Sequence, residues 1–209
     1  VEDDWDSIAD WYVDLVRDGS AMHQFSRDIL LNALSDRLFD LDVLDVGCGE
    51  GIATRALAAA GARVVGIDPT RSLIAHAEAA ERAHPAGVIY HIDDGTTLRT
   101  VADSSMDGVT AALSLNNIAD LDAALGSVRR VLRPGGLFAF TVPHPCFEAP
   151  ATETIPTHSG LRRVAGDYFA EGLWRSAHPH SVRPRRQLPP HHFHLPHRSS
   201  PPRVCPPKL

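Results

Sequence analysis

The chain has 209 residues, 44% of them hydrophobic, enough for one domain with a buried core. Its net charge of −6 hides an asymmetry: residues 1–174 hold all 26 acidic residues beside 13 arginines, and residues 175–209 hold the other seven basic side chains. An acidic body argues against a nucleic-acid footprint, no apolar run reaches the roughly 18 residues of a membrane helix, and the acidic opening VEDDWDSIADWY is unlike a basic export signal.

The expected setting is therefore cytoplasmic, with a small molecule as partner and neither nucleic acid nor membrane. Cys48, Cys146 and Cys205 are widely spaced and lack a CxxC pair, so they read as reduced thiols rather than a disulfide frame or a metal centre. Val1 in first place points to a fragment or to a non-ATG start translated literally. The chain is expected to work as a monomer or homodimer.

The first element expected is a helix over residues 20–38, with Phe25, Ile29, Leu30, Leu34 and Leu38 on one face and Ser20 as a candidate cap. From residue 43 strands and helices alternate: VLDV (43–46), a helix through Ala60 closed by Gly61, VVGID (64–68), a helix from Ser72 to His84 ended by Pro85, and VIYHI (88–92). DGVTAAL (107–113), a helix from Leu121 to Leu132 stopped by Arg133-Pro134-Gly135-Gly136, and LFAFTV (137–142) follow. Short apolar strands separated by amphipathic helices predict an α/β fold, a doubly wound Rossmann-like parallel sheet with helices on both faces.

Gly47-Cys48-Gly49-Glu50-Gly51 follows the first strand and runs straight into a helix. Glycine lets the backbone approach a ligand closely there, and a helix N-terminus faces it, so a nucleoside cofactor is expected. A tight turn of purely structural use is the plainer reading. The spacing differs from the G-x-G-x-x-G that seats a pyrophosphate, which favours S-adenosyl-L-methionine, a cofactor without phosphate. Asp68 ends the second strand, where a carboxylate can accept from both ribose hydroxyls or cap the next helix. Asp93 and Asp94 compete at the end of the third strand: one accepts from the adenine amino group while the Gly95 N–H meets a ring nitrogen, and the other is a solvated turn residue.

VLDVGCGEG, VVGIDPT, the acidic turn after VIYHI, and SSMDGVTAALSLNNIADLDAALGSVRRVLRPGGLFAFTVPHPCF together resemble the methyltransferase type 11 group of class I S-adenosylmethionine-dependent methyltransferases, over about residues 5–174. The resemblance implies a cofactor pocket formed by Asp45, Gly47, Cys48, Gly49, Gly51, Asp68, Pro69, Asp94, Gly95, Leu113, Ser114 and Leu115. It also implies a lid from WDSIADWY, with Trp5 and Tyr12 over the cofactor, although both aromatics could equally serve packing. Activity would be methyl transfer to a small-molecule acceptor, driven mainly by in-line positioning. His144, at the end of the fifth strand, is the candidate catalytic base, or a structural histidine between two prolines. Asn116 and Asn117 stand where related enzymes contact the acceptor, and no Asn-Pro-Pro-Tyr motif of amino-group methylation is present.

The domain is expected to span residues 1–177, with 1–40 as lid and lead-in helix. Residues 178–209 hold nine prolines and six histidines, which predicts an irregular tail without strand or helix. A frame shift near Arg183 to Gln187 would account for it, as would a genuine metal-binding or basic anchoring tail carrying HHFHLPH. Either way the strand pair that completes the family's sheet would be missing or replaced, leaving the fifth strand as an edge. Alternative readings are a truncated, catalytically impaired cofactor-binding protein and a nicotinamide-dependent oxidoreductase; the second lacks both its glycine spacing and a Tyr-x-x-x-Lys pair.

Overall fold

A computed structural model describes residues 5–34, 37–149, 151–169, 172–175 and 184–187. Five parallel strands form the main sheet in the order β3-β2-β1-β4-β5, with β1 Asp42–Val46, β2 Arg63–Asp68, β3 Ile89–Ile92, β4 Met106–Ala112 and β5 Leu132–Thr141. Helices α1 Ala9–Arg17, α2 Ala21–Leu34, α3 Ile52–Ala59, α4 Arg71–Ala83 and α5 Leu121–Val131 surround it. Alternation along β1 shows why both faces are covered. Val43 enters a core layer with Leu34, Leu57, Val64 and Ala77, whereas Leu44 and Val46 enter the opposite layer with Ile67, Val109, Val128 and Val131. The strand order reverses between β1 and β4, and a parallel sheet opens a crevice at the carboxyl ends of its strands at that point.

Three expectations need correction. The lead-in helix stops at Leu34, and its buried row is Ser26, Leu30 and Leu34, while Phe25 is 68% exposed. A polar contact sets this rotation: Ser26 Oγ shares a 2.5 Å hydrogen bond with Thr141 Oγ1 at the end of β5. The Arg133-Pro134-Gly135-Gly136 turn lies inside β5, as an irregularity between the pairs Met106–Leu132 and Gly108–Leu137. A Cβ at Gly136 would stand 2.9 Å from the Asp107 carbonyl oxygen, so the bulge needs glycine.

The third correction concerns the tail. Pro184–Gln187 (β9) pairs antiparallel with Gly172–Arg175 (β8), Arg175 opposite Pro184. Proline is tolerated because it is the strand's first residue, where its missing N–H need not break the ladder. A second antiparallel hairpin, β6 Glu153–Thr157 with β7 Gly160–Val164, follows the short helix α6 Pro145–Glu148. Neither hairpin joins the main sheet, so β5 is one of its edges among the described residues, with β3 at the other. The 177/178 boundary and HHFHLPH lie outside those residues.

Candidate functional site

The site grows from the end of β1. The N–H groups of Gly47 and Cys48 both donate to the Ile67 carbonyl of β2, at 2.8 and 2.9 Å, which folds the chain back over the sheet edge. Gly47, at φ +69°, lies against Ser114: a Cβ there would collide with the serine Cβ. Ser114 is fixed in turn, its hydroxyl donating to the Val46 carbonyl at 2.6 Å. A Cβ at Gly51 would collide with the buried Tyr90 hydroxyl. Gly49 is different, since only the Tyr12 ring comes near, at 3.7 Å. Two of the three glycines thus answer to packing, and the middle one opens the backbone to a cavity.

That cavity is a cleft whose walls include Gly47, Gly49, Asp68, Thr70, Leu113 and Ser114, with Trp5 and Tyr12 on the N-terminal side. Asp68 is buried at its edge; Oδ2 accepts from the Gly49 N–H at 3.1 Å and Oδ1 from the Thr70 N–H at 2.9 Å. The same carboxylate therefore braces the glycine turn and shapes the start of α4. Trp5 and Tyr12 meet edge to face at 5.3 Å, and Asp6 ties their segment to α4 by accepting from the Ser72 N–H at 2.8 Å and the Ser72 hydroxyl at 2.5 Å.

The sequence-derived residues separate into groups. Gly47, Gly49, Asp68, Pro69, Gly95, Leu113 and Ser114 line the cleft. Asp45 lies beneath it, fully buried, accepting from the Thr54 and Thr110 hydroxyls at 2.7 Å each; burial, eased by those two donors, pushes its carboxyl up to about 6. Cys48 turns away into the core beside Tyr90, and burial raises its thiol. Gly51 and the buried Leu115 are not in the cleft lining.

Asp94 spends its carboxylate on the Thr96 N–H (2.9 Å), the Thr97 N–H (3.0 Å) and both threonine hydroxyls. Burial works against its ionised form, but these donors hold the carboxyl below its ordinary value. Asp93 is engaged likewise, accepting from the Thr100 N–H and hydroxyl at 2.7 Å. Neither carboxylate lines the cleft, whereas the backbone at Gly95 does. Of the two asparagines expected near the acceptor, Asn117 lines the cleft, and its amide donates to the Leu113 carbonyl at 3.2 Å.

His144 is exposed and stands outside the cleft lining. Its Nδ1 accepts from the Cys146 N–H at 3.3 Å, with Cys146 Sγ at 3.1 Å, and Nε2 is 3.5 Å from the Tyr168 hydroxyl. Sequence reasoning passed over Thr70, Leu73 and Ile118, which also line the cleft. Their signal was available, because each lies within a few residues of a strand's carboxyl end.

Comparison with known proteins agrees with this geometry. Residues 44–140 match the methyltransferase domain family. The chain is 36% identical over 149 residues to a ubiquinone/menaquinone biosynthesis C-methyltransferase of Bradyrhizobium diazoefficiens, covering 66% of this chain and 57% of that protein. It is 31% identical over 137 residues to a ubiquinone biosynthesis O-methyltransferase of Xanthomonas oryzae pv. oryzae, covering 65% and 53%. A crystal structure of an S-adenosylmethionine-dependent methyltransferase from Mesorhizobium loti superposes with a TM-score of 0.68 at 25% identity, covering 78% of this chain and 74% of that one. Over these residues the chain is similar to the class I S-adenosylmethionine-dependent methyltransferases. The chain spans a little over half the length of the curated relatives it matches. The matched span contains the glycine turn, Asp68, Asp94 and Leu113 to Leu115; Trp5, Tyr12 and His144 fall outside it.

Proposed function

We propose that this chain is a methyltransferase that binds S-adenosyl-L-methionine in the cleft at the carboxyl ends of β1, β2 and β4, and passes its methyl group to a small-molecule acceptor. One observation carries the reading: a buried carboxylate, Asp68, stands at the cleft edge beside a glycine whose missing side chain leaves the backbone open. The residues present suit the cofactor. Asp68 places a carboxylate, an acceptor for ribose hydroxyls, at the cleft edge, Gly95 offers a backbone edge to adenine, and Leu73 and Ile118 supply apolar walls.

When bound, the cofactor supplies an electrophilic methyl on a sulfonium that leaves as a neutral thioether. The chain's share is to align the acceptor and exclude water, which the Trp5 and Tyr12 segment serves by closing one side of the cleft. The acceptor class that the relatives' names suggest is a ring carbon or hydroxyl of a quinone-type small molecule. His144 is the candidate base for a hydroxyl acceptor.

The test is a thermal-shift series with S-adenosylhomocysteine and NAD on the full chain, followed by transfer of labelled methyl to a panel of phenols and quinols. Stabilisation by S-adenosylhomocysteine with label transfer is the expected result. Stabilisation by NAD alone overturns the reading, and binding without transfer marks a catalytically impaired binding protein.

A further inference from the structure

One wall of the cleft is built on a strained residue. Five non-glycine residues have positive φ among those described, Asp40, Leu98, Ser104, Leu113 and Ala151, and of these Leu113 alone lines the cleft. Its φ of +56° puts a bulky side chain in the left-handed region, a conformation that persists only where the surroundings impose it. Here both sides of the residue are held. The Leu113 N–H donates to the Thr141 carbonyl at 3.0 Å and to the Thr141 hydroxyl at 3.3 Å, and Ser26 fixes that hydroxyl from α2. The Leu113 carbonyl accepts from the Asn117 amide at 3.2 Å. Asn117 is itself fixed by the 3-10 turn over Leu115–Asn117, where its N–H donates to the Ser114 carbonyl at 2.8 Å. The reversal at Leu113 ends β4 after Ala112 and turns Ser114 back onto the Val46 carbonyl, against Gly47. The strain therefore sets where the end of β4 meets the glycine turn.

We propose that Asn117 is a positioning residue for the cofactor: by holding the Leu113 carbonyl it keeps the end of β4 in the left-handed form that the cofactor-binding cleft needs. The inference rests on the cofactor reading above and gives Asn117 a role other than contact with the acceptor. An unheld leucine relaxes out of the left-handed region, because a β-carbon is penalised there. The competent cleft then forms in only a fraction of the molecules, and the apparent affinity falls by that fraction. Glycine carries no such penalty, and asparagine adopts the left-handed form more readily than leucine does. Either residue at position 113 is therefore expected to make the Asn117 donor dispensable.

The experiment is a pair of double-variant cycles on the full chain, read by calorimetry with S-adenosylhomocysteine and by the urea midpoint of the ligand-free protein. Asn117→Ala alone is expected to weaken binding roughly tenfold, the scale of one strained residue released. Added to Leu113→Gly, the same change is expected to alter affinity by less than about threefold, so that glycine rescues the loss. The cycle on Leu113→Asn repeats the test with a side chain in place, and it decides the outcome if the glycine variant does not fold. Equal losses from Asn117→Ala in every background overturn the positioning role, because they mark a direct contact with the ligand. A lowered urea midpoint with unchanged affinity overturns it too, since a merely structural hydrogen bond would behave that way. Both results leave the cofactor reading intact. No binding of S-adenosylhomocysteine to the wild type overturns both.

Discussion

Between residues 42 and 141 each of the first strands feeds a core: four of the five residues of β1 are buried, and β2 buries four of six. Between residues 153 and 164 the β6–β7 hairpin leaves every residue of β7 exposed and all but one of β6. Both regions are strands joined by turns with positive-φ glycines, yet only the first spends its glycines on close approach. A Cβ at Gly47 would strike Ser114, while one at Gly160 would meet nothing within 4 Å. The same residue type thus serves packing and a cavity in one region and only a turn in the other.

Alanine at those two glycines tests that contrast most severely. Gly47→Ala is expected to destabilise the fold by roughly 2–4 kcal/mol, from overpacking against Ser114 plus a left-handed backbone, and to abolish S-adenosylhomocysteine binding. Gly160→Ala, at φ +108°, carries only the backbone part, about 1–2 kcal/mol, with binding unchanged. Chemical denaturation and calorimetry on both variants check this. Equal losses in the two would dissolve the distinction.

The next effect down concerns Asp68. Removing its carboxylate takes away the brace on Gly49 and Thr70 together with the proposed ribose acceptor. Asp68→Ala is expected to weaken S-adenosylhomocysteine binding about 10- to 100-fold, the range of hydrogen bonds to a charged group. Asp94→Ala is expected to act chiefly on the stability of the 94–97 turn, since its acceptors are spent on Thr96 and Thr97. Affinity lost equally in both would show that Asp94 reaches the cofactor after all.

Much of the sheet was legible because its signals are periodic and redundant. VLDV and VVGID each announce a buried strand and VIYHI a third, which at the sheet edge buries only Tyr90 of its four residues, and the connecting helices are long enough to force parallel crossovers. The cleft was legible in part for the same reason, as Gly47, Asp68 and Gly95 sit at strand ends. Illegible were the features set by single tertiary contacts. Phe25 lies on the apolar stripe of α2, yet Ser26 faces the sheet because Thr141, 115 residues away, offers it a partner. Asp45 reads like a cofactor ligand from its motif, yet two threonine hydroxyls claim it. Pro184–Gln187 carries no apolar alternation, so β9 had no pattern to betray it.

Buried acids give the site a pH signature. Asp45 and Glu50 have folded-state values of about 6 and about 7, both raised chiefly by burial above 3.8 and 4.5. A raised carboxylate contributes stability that is present below its unfolded value and lost as pH rises through the folded one. The ligand-free protein should therefore lose roughly 1–3 kcal/mol between about pH 4.5 and 7 through Glu50, at about 1.4 kcal/mol per pKa unit. Urea denaturation of wild type and Glu50→Gln at pH 5 and pH 8 reads the effect as a gap that shifts in favour of the variant at the higher pH. A gap that stays constant would mean that Glu50 is ionised throughout and solvated in the bare protein.

The smallest effect expected is at the lid. Thr70 precedes α4 but provides no side-chain cap, and Asp6, 66 residues before Ser72, accepts from the Ser72 N–H and hydroxyl instead. These bonds hold the Asp6 carboxyl below its ordinary value, so its contribution is present above pH 3.8 and fades as pH falls through the lower folded value. The group is exposed and screened, so Asp6→Ala should cost only about 0.5–1 kcal/mol, the low end of capping losses. Its more telling consequence is kinetic. With Asp6 gone, the Trp5 end of the segment loses one tether to α4 while Asp10 still reaches His76, and S-adenosylhomocysteine should dissociate a few-fold faster with little change in its association rate, measured by stopped-flow tryptophan fluorescence. An unchanged dissociation rate would show that the aromatic segment packs on the body without gating the cleft.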